Sequence, residues 1–362
     1  MKFHEIDFNS SEFDEFIEFP WKIYQNKYKW IPPLKESIKT QLSNKNPFFK
    51  HGKAQAFICR DDNGKILGRI LASIDDNLVN KDVGYFGYFD CIDDNFVASK
   101  LLELAENYIK ENGKTIIQGP VNLNVYTEYR IQTNGFQTEP FLGEPRSPEY
   151  YKDLVTSAGY QKFATWNSWD IPKLVFGSLK EYMESQIKKY PQVYTVKKFD
   201  LNDFDNEMKK LHPVALESFS ENFGFSQIDL EEFINIYYPM KNIISFAPEM
   251  FDYFVDKNNE MVAFGFGFID FAQAFIKMNG DIEKFSLISE SQPNRAVFHT
   301  FGIKKEHRRS EISYTTFKVG LNLSIEKNFD SVIGALAKEG KTAYDQLGEP
   351  TRTYSVFQKE LV

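Results

Sequence analysis

Cysteine is nearly absent from this chain: of 362 residues, only Cys59 and Cys91 carry thiols, each inside a strand-like apolar run. Two such thiols make no disulfide framework, and both are expected to be buried and reduced. Histidine is almost as scarce. His4, His51, His212, His299 and His307 have no ligand spacing with one another or with cysteine, so no zinc site is expected. No run of about 18 apolar residues occurs, which argues against a membrane-spanning helix. Residues 1–5 lack the apolar stretch of a secretory leader, and a cytoplasmic location is the expectation. Positive charge is not in excess. A net charge of −8 provides no basic field to attract nucleic acid, and none is expected as a partner.

What the chain has in abundance is aromatic residues: 16% of the total, with 35 Phe, within a hydrophobic content of 42%. That is ample core material for a folded protein, and the length points to two domains. The same order of elements is read twice. Lys2-Phe3-His4-Glu5-Ile6 and Tyr194-Thr195-Val196-Lys197-Lys198-Phe199 read as strands, each followed by small polar residues and an acidic helical first turn. A hairpin follows in each copy, turning at Asp62-Asn63-Gly64 and at Asn258-Asn259. Then come a further strand (Val83 onward, Ala296 onward), a long helix with a periodic apolar stripe, and a last strand begun near Asn112 or Asn328. In the second copy the strand ends in Phe301-Gly302-Ile303 and opens through the basic run Lys304-Lys305-Glu306-His307-Arg308-Arg309-Ser310 onto a helix. Unpaired N–H groups at such a helix start favour phosphate.

This order resembles the GNAT superfamily of CoA-dependent N-acyltransferases, twice over and across nearly the whole chain. The phrases Trp30-Ile31-Pro32-Pro33-Leu34, Asn46-Pro47-Phe48-Phe49, Gly68-Arg69-Ile70, Gly84-Tyr85-Phe86-Gly87 and Gly119-Pro120-Val121-Asn122 are similar to those of a group of tandem GNAT-like bacterial proteins, as is Tyr150-Tyr151 ahead of Ala158-Gly159-Tyr160. The resemblance implies an α/β fold of two tandem GNAT-like domains, each a mixed, mostly antiparallel sheet flanked by helices. The expected boundaries are 1–170 for a degenerate domain, 171–195 for a linker helix and 196–362 for a domain with a candidate acyl-CoA site. It implies acyl transfer from acyl-CoA or acetyl-CoA, as co-substrate and not as a tightly bound cofactor, to a small-molecule or lipid amine. Some members of the group are linked to N-acylation in sphingolipid synthesis.

The implied CoA loop has the pattern Arg/Gln-x-x-Gly-x-Gly/Ala. Arg308 takes its first position, but Glu311 and Ser313 stand where the glycines belong. Ile303, Arg308, Arg309, Ser310 and Ser313 are the candidate cofactor residues, and a solvated basic turn is the competing reading. The first copy has Asp90-Cys91-Ile92-Asp93-Asp94-Asn95 at that place, which repels phosphate, so CoA binding is expected to be lost there. Tyr344, within Tyr344-Asp345-Gln346-Leu347-Gly348, matches the family's thiolate-protonating tyrosine. The first copy has Val155 at that offset. His299 is the candidate base, its ordinary pKa near 6.5 suiting proton acceptance, or else a satisfied core residue. Phe266 and Phe268, alternating with Gly265 and Gly267, are read as a core strand or as the wall of an acyl groove lidded by residues 277–295. Asn122 opens a polar, aromatic loop reaching Pro148 and containing Asn124, Tyr126, Glu128 and Arg130. A loop that long points to function, and Asn122 is taken as a substrate residue. An aminoacyl-tRNA-dependent transferase and a non-catalytic binding protein are the alternatives.

Overall fold

The computed structural model describes residues 1–25, 27–340, 344 and 347–361. The first half runs β1 (Lys2–Ile6), α1 (Ser11–Tyr24), α2 (Lys35–Gln41), β2 (Gly52–Arg60), β3 (Ile66–Asp75), β4 (Val83–Cys91) and α3 (Asn95–Glu111). It continues with β5 (Ile116–Gly119), β6 (Ile131–Asn134), α4 (Tyr151–Ser157) and β7 (Gln161–Pro172). Helix α5 (Phe176–Ile187) follows, within the 171–195 stretch expected as a linker helix. The second half runs β8 (Thr195–Lys198), α6 (Phe204–Phe219), α7 (Leu230–Tyr237), α8 (Lys241–Ile244), β9 (Phe251–Val255) and β10 (Met261–Ile269). Its remainder is α9 (Ala272–Met278), α10 (Leu287–Glu290), β11 (Arg295–Ile303), α11 (Ile312–Glu326), β12 (Ser331–Lys338) and β13 (Arg352–Glu360).

The two hairpins form as their turn residues dictate. Asp61 Oδ1 accepts the N–H groups of Asn63 and Lys65, each at 2.9 Å, and Gly64 takes φ +83°. In the second half Asp256 Oδ1 accepts from Asn258 at 2.9 Å and Glu260 at 3.0 Å, with Asn259 at φ +64°. An aspartate ahead of a left-handed Gly or Asn satisfies the turn's donors without strain.

Strands β3 and β4 are buried at every position because helices cover both faces. Phe16, Phe19 and Ile23 of α1 lie on one side, and Leu101, Leu102, Ala105 and Ile109 of α3 on the other. A fully buried side chain of this size contributes about 2–3 kcal/mol. The buried charge on β3, Arg69, is matched by Asp90 at 2.7 Å and by Phe16 O. In the second half the Phe–Gly alternation of β10 has a plain cause. Phe264 and Phe266 pack under α6, whereas Gly265 faces α11, where a Cβ would come within 2.2 Å of Thr316.

Among the described residues all strands form one sheet, in the order β1-β2-β3-β4-β5-β13-β7-β12-β11-β10-β9-β8, with β6 beside β13. Only β4–β5 and β11–β12 are parallel there. The last strand of each half is exchanged. β13 pairs with β5 (Phe357↔Gly119), and β7 pairs with β12 (Ile333↔Asp170), while β7 and β13 pair with each other. Arg352, fully buried at the start of β13, ties the crossing together. Its Nη1 donates to Asp170 at 2.8 Å, its Nη2 to Glu139 O at 2.9 Å, and its Nε lies 3.2 Å from Glu144.

The halves are also bolted by His51, whose Nδ1 lies 2.9 Å from Asp75 and whose Nε2 lies 2.7 Å from Glu232 of α7. Hydrogen bonds to these two carboxylates raise the imidazole pKa to about 10. A raised folded-state value stabilises fully below the unfolded value near 6.5, and the contribution is lost as pH rises through about 10. His51→Gln is expected to lower stability by about 3 kcal/mol near neutral pH, since two enclosed carboxylates lose their cation. Urea unfolding should show the gap from wild type narrowing between about pH 7 and pH 10.

Candidate active site

A parallel pair of strands that part company leaves a gap in a sheet, and each half has one. In the second half β11 and β12 run together from Arg295↔Ser331 to Phe298↔Gly334 and then diverge. The divergence has local causes. On β11, Phe298 pairs with Gly267 but Thr300 with Phe266, so His299 is the extra residue of a bulge. On β12 the pairing with β7 slips between Gly334 and Ala337, and Leu336 takes φ +56°.

His299 stands at this opening. Its ring lies 6.4 Å from that of Phe266 and 5.7 Å from that of Phe268, and its Nδ1 is 2.7 Å from Thr300 Oγ1. Desolvation, then the charge of Arg130, brings its pKa down to about 4, so the imidazole is neutral at physiological pH. Thr300 and Phe266 also line an apolar pocket, a cavity of about 40 Å³, that lies between β9–β10 and helices α6–α8. Its walls include Met208, Leu211, Ala215, Phe233, Tyr237 and Met240. Within residues 277–295, read as a surface loop or a lid, Asn279 accepts from Trp21 Nε1 of the first half at 2.9 Å and Gly280 O from Lys35 N at 3.0 Å.

The first half roofs the opening. Its loops after β5 and after β6 are held to the second half, the one by Tyr126 Oη donating to Ser226 O at 2.7 Å and the other by Leu142 N donating to Asp270 at 2.9 Å. Tyr129 stacks on Phe223 at 6.0 Å, and Gly143 lies beside His299.

The gap of the first half is closed by its own chain. β4 and β5 pair from Val83↔Ile116 to Tyr85↔Gln118. Beyond that, Val121 N donates to Phe86 O and Asn122 Oδ1 accepts from Tyr88 N, both at 2.7 Å. A Cβ on Gly87 would lie 2.2 Å from Val121 O, so only glycine permits the filling. At the start of α3, Asp94 accepts from Phe96 N at 2.8 Å and Val97 N at 3.1 Å. A carboxylate thus takes the amides that would otherwise face an anion.

The basic run before α11 is engaged within the chain. Lys305 pairs with Glu221 at 2.9 Å, while Arg308 donates to Ser218 O at 3.2 Å and lies 3.8 Å from Glu221. Arg309, at φ +66°, and Ser313 are exposed, and Ser310 Oγ donates to His307 O at 2.8 Å. Ile303 packs with Ile312 and Tyr194. Glu311 is buried because it accepts Val193 N of the linker at 3.3 Å.

Tyr344 lies across Gly334, where β11 and β12 part. Its ring stacks on Trp169 at 5.4 Å and meets Phe317 at 5.7 Å. Burial raises its phenol pKa well above the ordinary value, which keeps it protonated. The rest of its motif is described only at Leu347 and Gly348; residues 345 and 346 lie outside the described residues. The structure therefore gathers His299, Phe266 and Phe268, sets Tyr344 at the neighbouring strand, and uses Asn122 as a brace in the other half. The pocket helices α6 and α7 carried no mark in the sequence beyond an apolar stripe. Among the described residues no cluster of His, Cys, Asp or Glu suits a metal ion, and no helix is long and apolar enough to cross a membrane.

One mixed sheet built of two like halves, each with one parallel pair whose pairing breaks off, is the tandem GNAT fold, an acyltransferase fold. Solved structures agree. A tandem GNAT protein from the clavulanic acid biosynthesis pathway matches with a TM-score of 0.56 at 9% identity, over 99% of this chain and 98% of that one. A probable N-acyltransferase from Enterococcus faecalis V583 matches with a TM-score of 0.51 at 9% identity, over 99% of this chain and 72% of that one. At the sequence level the chain is 30% identical over 316 residues to Protein YghO of Escherichia coli K12, covering 84% of this chain and 79% of that protein, and it belongs to that protein's family. It is also 27% identical over 240 residues to the bacterial ceramide synthase of Caulobacter vibrioides, covering 65% of this chain and 62% of the synthase's length. No protein-family model matches the chain.

Asn122→Ala is expected to destabilise the protein by about 1–3 kcal/mol, because Tyr88 N–H loses its acceptor inside the closed gap. Denaturant unfolding measures the loss. Unchanged stability would return Asn122 to a role toward ligand.

Proposed function

We propose that the chain is an N-acyltransferase that moves an acyl group from acyl-CoA to an amine, with the reaction at the open gap between β11 and β12. The observation that carries this reading is the apolar pocket, a cavity of about 40 Å³, that Thr300 and Phe266 line beside His299. A pocket walled by Phe, Leu and Met suits a hydrocarbon chain. The similarity to a bacterial ceramide synthase supports a lipid amine as acceptor.

In the proposed step the amine nitrogen attacks the thioester carbonyl. The C–N bond forms, the C–S bond breaks, and the amine's surplus proton passes to His299, which is neutral at physiological pH. The thiolate of CoA takes a proton from Tyr344. Arg308, Arg309, Ser310 and Ser313, with the backbone at Ile303, would face the CoA pyrophosphate. The binding-protein reading is favoured by one observation: the loop's Lys305 and Arg308 already have Glu221 beside them, and Glu311 stands at the helix start.

Release of free thiol from acyl-CoAs of graded length, with long-chain amines as acceptors, tests the proposal. Tyr344→Phe should lower turnover about 10²–10⁴-fold with acyl-CoA binding little changed. Ala215→Phe, which fills the pocket, should shift preference toward shorter acyl chains. Chain-length preference unmoved by Ala215→Phe would place the acyl group elsewhere. Saturable acyl-CoA binding without thiol release for any amine would favour the binding protein.

A further inference from the structure

One arginine in the interior lacks what the others have. The chain has eight arginines, and Arg308 and Arg309 are exposed. Arg60 pairs with Glu15 at 2.9 Å, Arg69 with Asp90 at 2.7 Å, and Arg146 with Glu144 at 3.5 Å. Arg295 pairs with Asp270 at 2.5 Å, and Arg352 with Asp170 at 2.8 Å. Arg130 has no carboxylate within ion-pair distance among the described residues. Its guanidinium is held between aromatic faces, 3.7 Å from the centre of the Tyr129 ring and 4.5 Å from that of Trp166. Its Nη2 donates to Tyr129 Oη, while its Nε is enclosed with no acceptor.

Such a group is costly. A half-buried guanidinium without a counter-charge, its Nε shut from water, has gained only ring faces and one phenol oxygen in return. The backbone is strained at the same residue, since Arg130 takes φ +99°, a region that a side chain with a Cβ rarely enters. The strain is held from both sides: Arg130 N donates to Pro120 O at 3.0 Å, and Val121 and Tyr129 form a bridge. The segment is thus built to aim this side chain. The aim is toward the second half's opening, because Trp166 lies on β7 next to β12, and Arg130 acts electrostatically on His299. Aromatic walls, a fixed fork of N–H groups and a missing counter-charge make a receptor for a planar or tetrahedral oxyanion.

We infer that Arg130 anchors an anionic oxygen group, a carboxylate or a phosphate, on the ligand that enters the cleft beside His299. This goes beyond acyl transfer and stands without it, since it concerns binding alone. Coupled to the proposed chemistry it has a consequence. The charge of Arg130 helps hold His299 neutral, so an anion seated on Arg130 relieves that repulsion and makes His299 a better proton acceptor when ligand is present. The base would then be strongest only in the loaded cleft.

The full chain, titrated with sodium acetate, inorganic phosphate and CoA, provides the test. The readout is the imidazole resonance of His299, identified by its loss in His299→Gln. Saturable movement of that resonance and a rise in its titration midpoint are expected with at least one anion. Acetate as the stronger ligand assigns a carboxylate, phosphate a phosphoryl group, and CoA alone the donor's own phosphates. Arg130→Met keeps the stacked volume and should weaken the binding about 10- to 100-fold. Arg130→Lys keeps the charge but not the fork, and should fall between the two. Arg130→Met should also melt at or above the wild-type temperature, because an unmatched charge has gone. A His299 resonance that no anion moves, or that moves equally in both Arg130 variants, overturns the inference. A marked fall in melting temperature with anion affinity retained would make Arg130 a structural prop.

Discussion

The exchange of β7 and β13 is the constraint on which the rest of the molecule depends. Each half is one strand short, and each completes its sheet with a strand whose chain neighbours lie in the other half. The backbone hydrogen bonds of the crossing cannot be kept if the halves separate. Arg352 adds a charge-matched knot inside it, its guanidinium shared among Asp170 of β7, Glu144 of the roofing loop and the Glu139 carbonyl. Removing either carboxylate would leave that buried cation short of charge, at a cost of several kcal/mol. The relative placement of the two gaps is therefore fixed by the sheet itself, and the loop after β5 is held as a roof over the opening between β11 and β12.

Two copies of one architecture have taken opposite courses at the same place. In the first, Val121 and Asn122 fill the space between parting strands, and Asp94 occupies the helix start. In the second, the strands part around His299 and Gly334 with an apolar pocket alongside. The filled copy is free to serve as a wall, and it supplies Tyr126, Tyr129, Arg130 and Gly143 to the cleft of the open one. A bulged strand, a buried phenol at Tyr344 and a neutral imidazole at His299 are the pieces on which the proposed acyl transfer rests.

Local features were legible in the sequence because local residues determine them. The turns at Asn63-Gly64 and Asn258-Asn259, the helix α5 and the apolar stripe of α3 follow from caps, turn residues and period. The GNAT order was legible too, since it is an order of such elements. The strand exchange was not. Nothing within Arg352-Thr353-Tyr354-Ser355-Val356 says which of two similar sheets the strand will join, and its partners are set by distant residues. Glu311 looked like a defect in a phosphate loop, whereas its burial against Val193 N gives it a structural task that sequence spacing does not carry. Arg130 stood out only as one polar residue in a long loop. Its setting requires Tyr129 and Trp166, which lie on separate segments.

Photo-labelling with a long-chain acyl-CoA that carries a diazirine at the end of its chain tests the central assignment most directly. Adducts mapped by mass spectrometry are expected on α6 and α7, at or near Met208, Phe233 and Tyr237, and are expected to fall when unlabelled acyl-CoA competes. Adducts concentrated instead around Tyr88 and Val121 in the first half, or spread without competition over the surface, would contradict a ligand seated at the opening between β11 and β12.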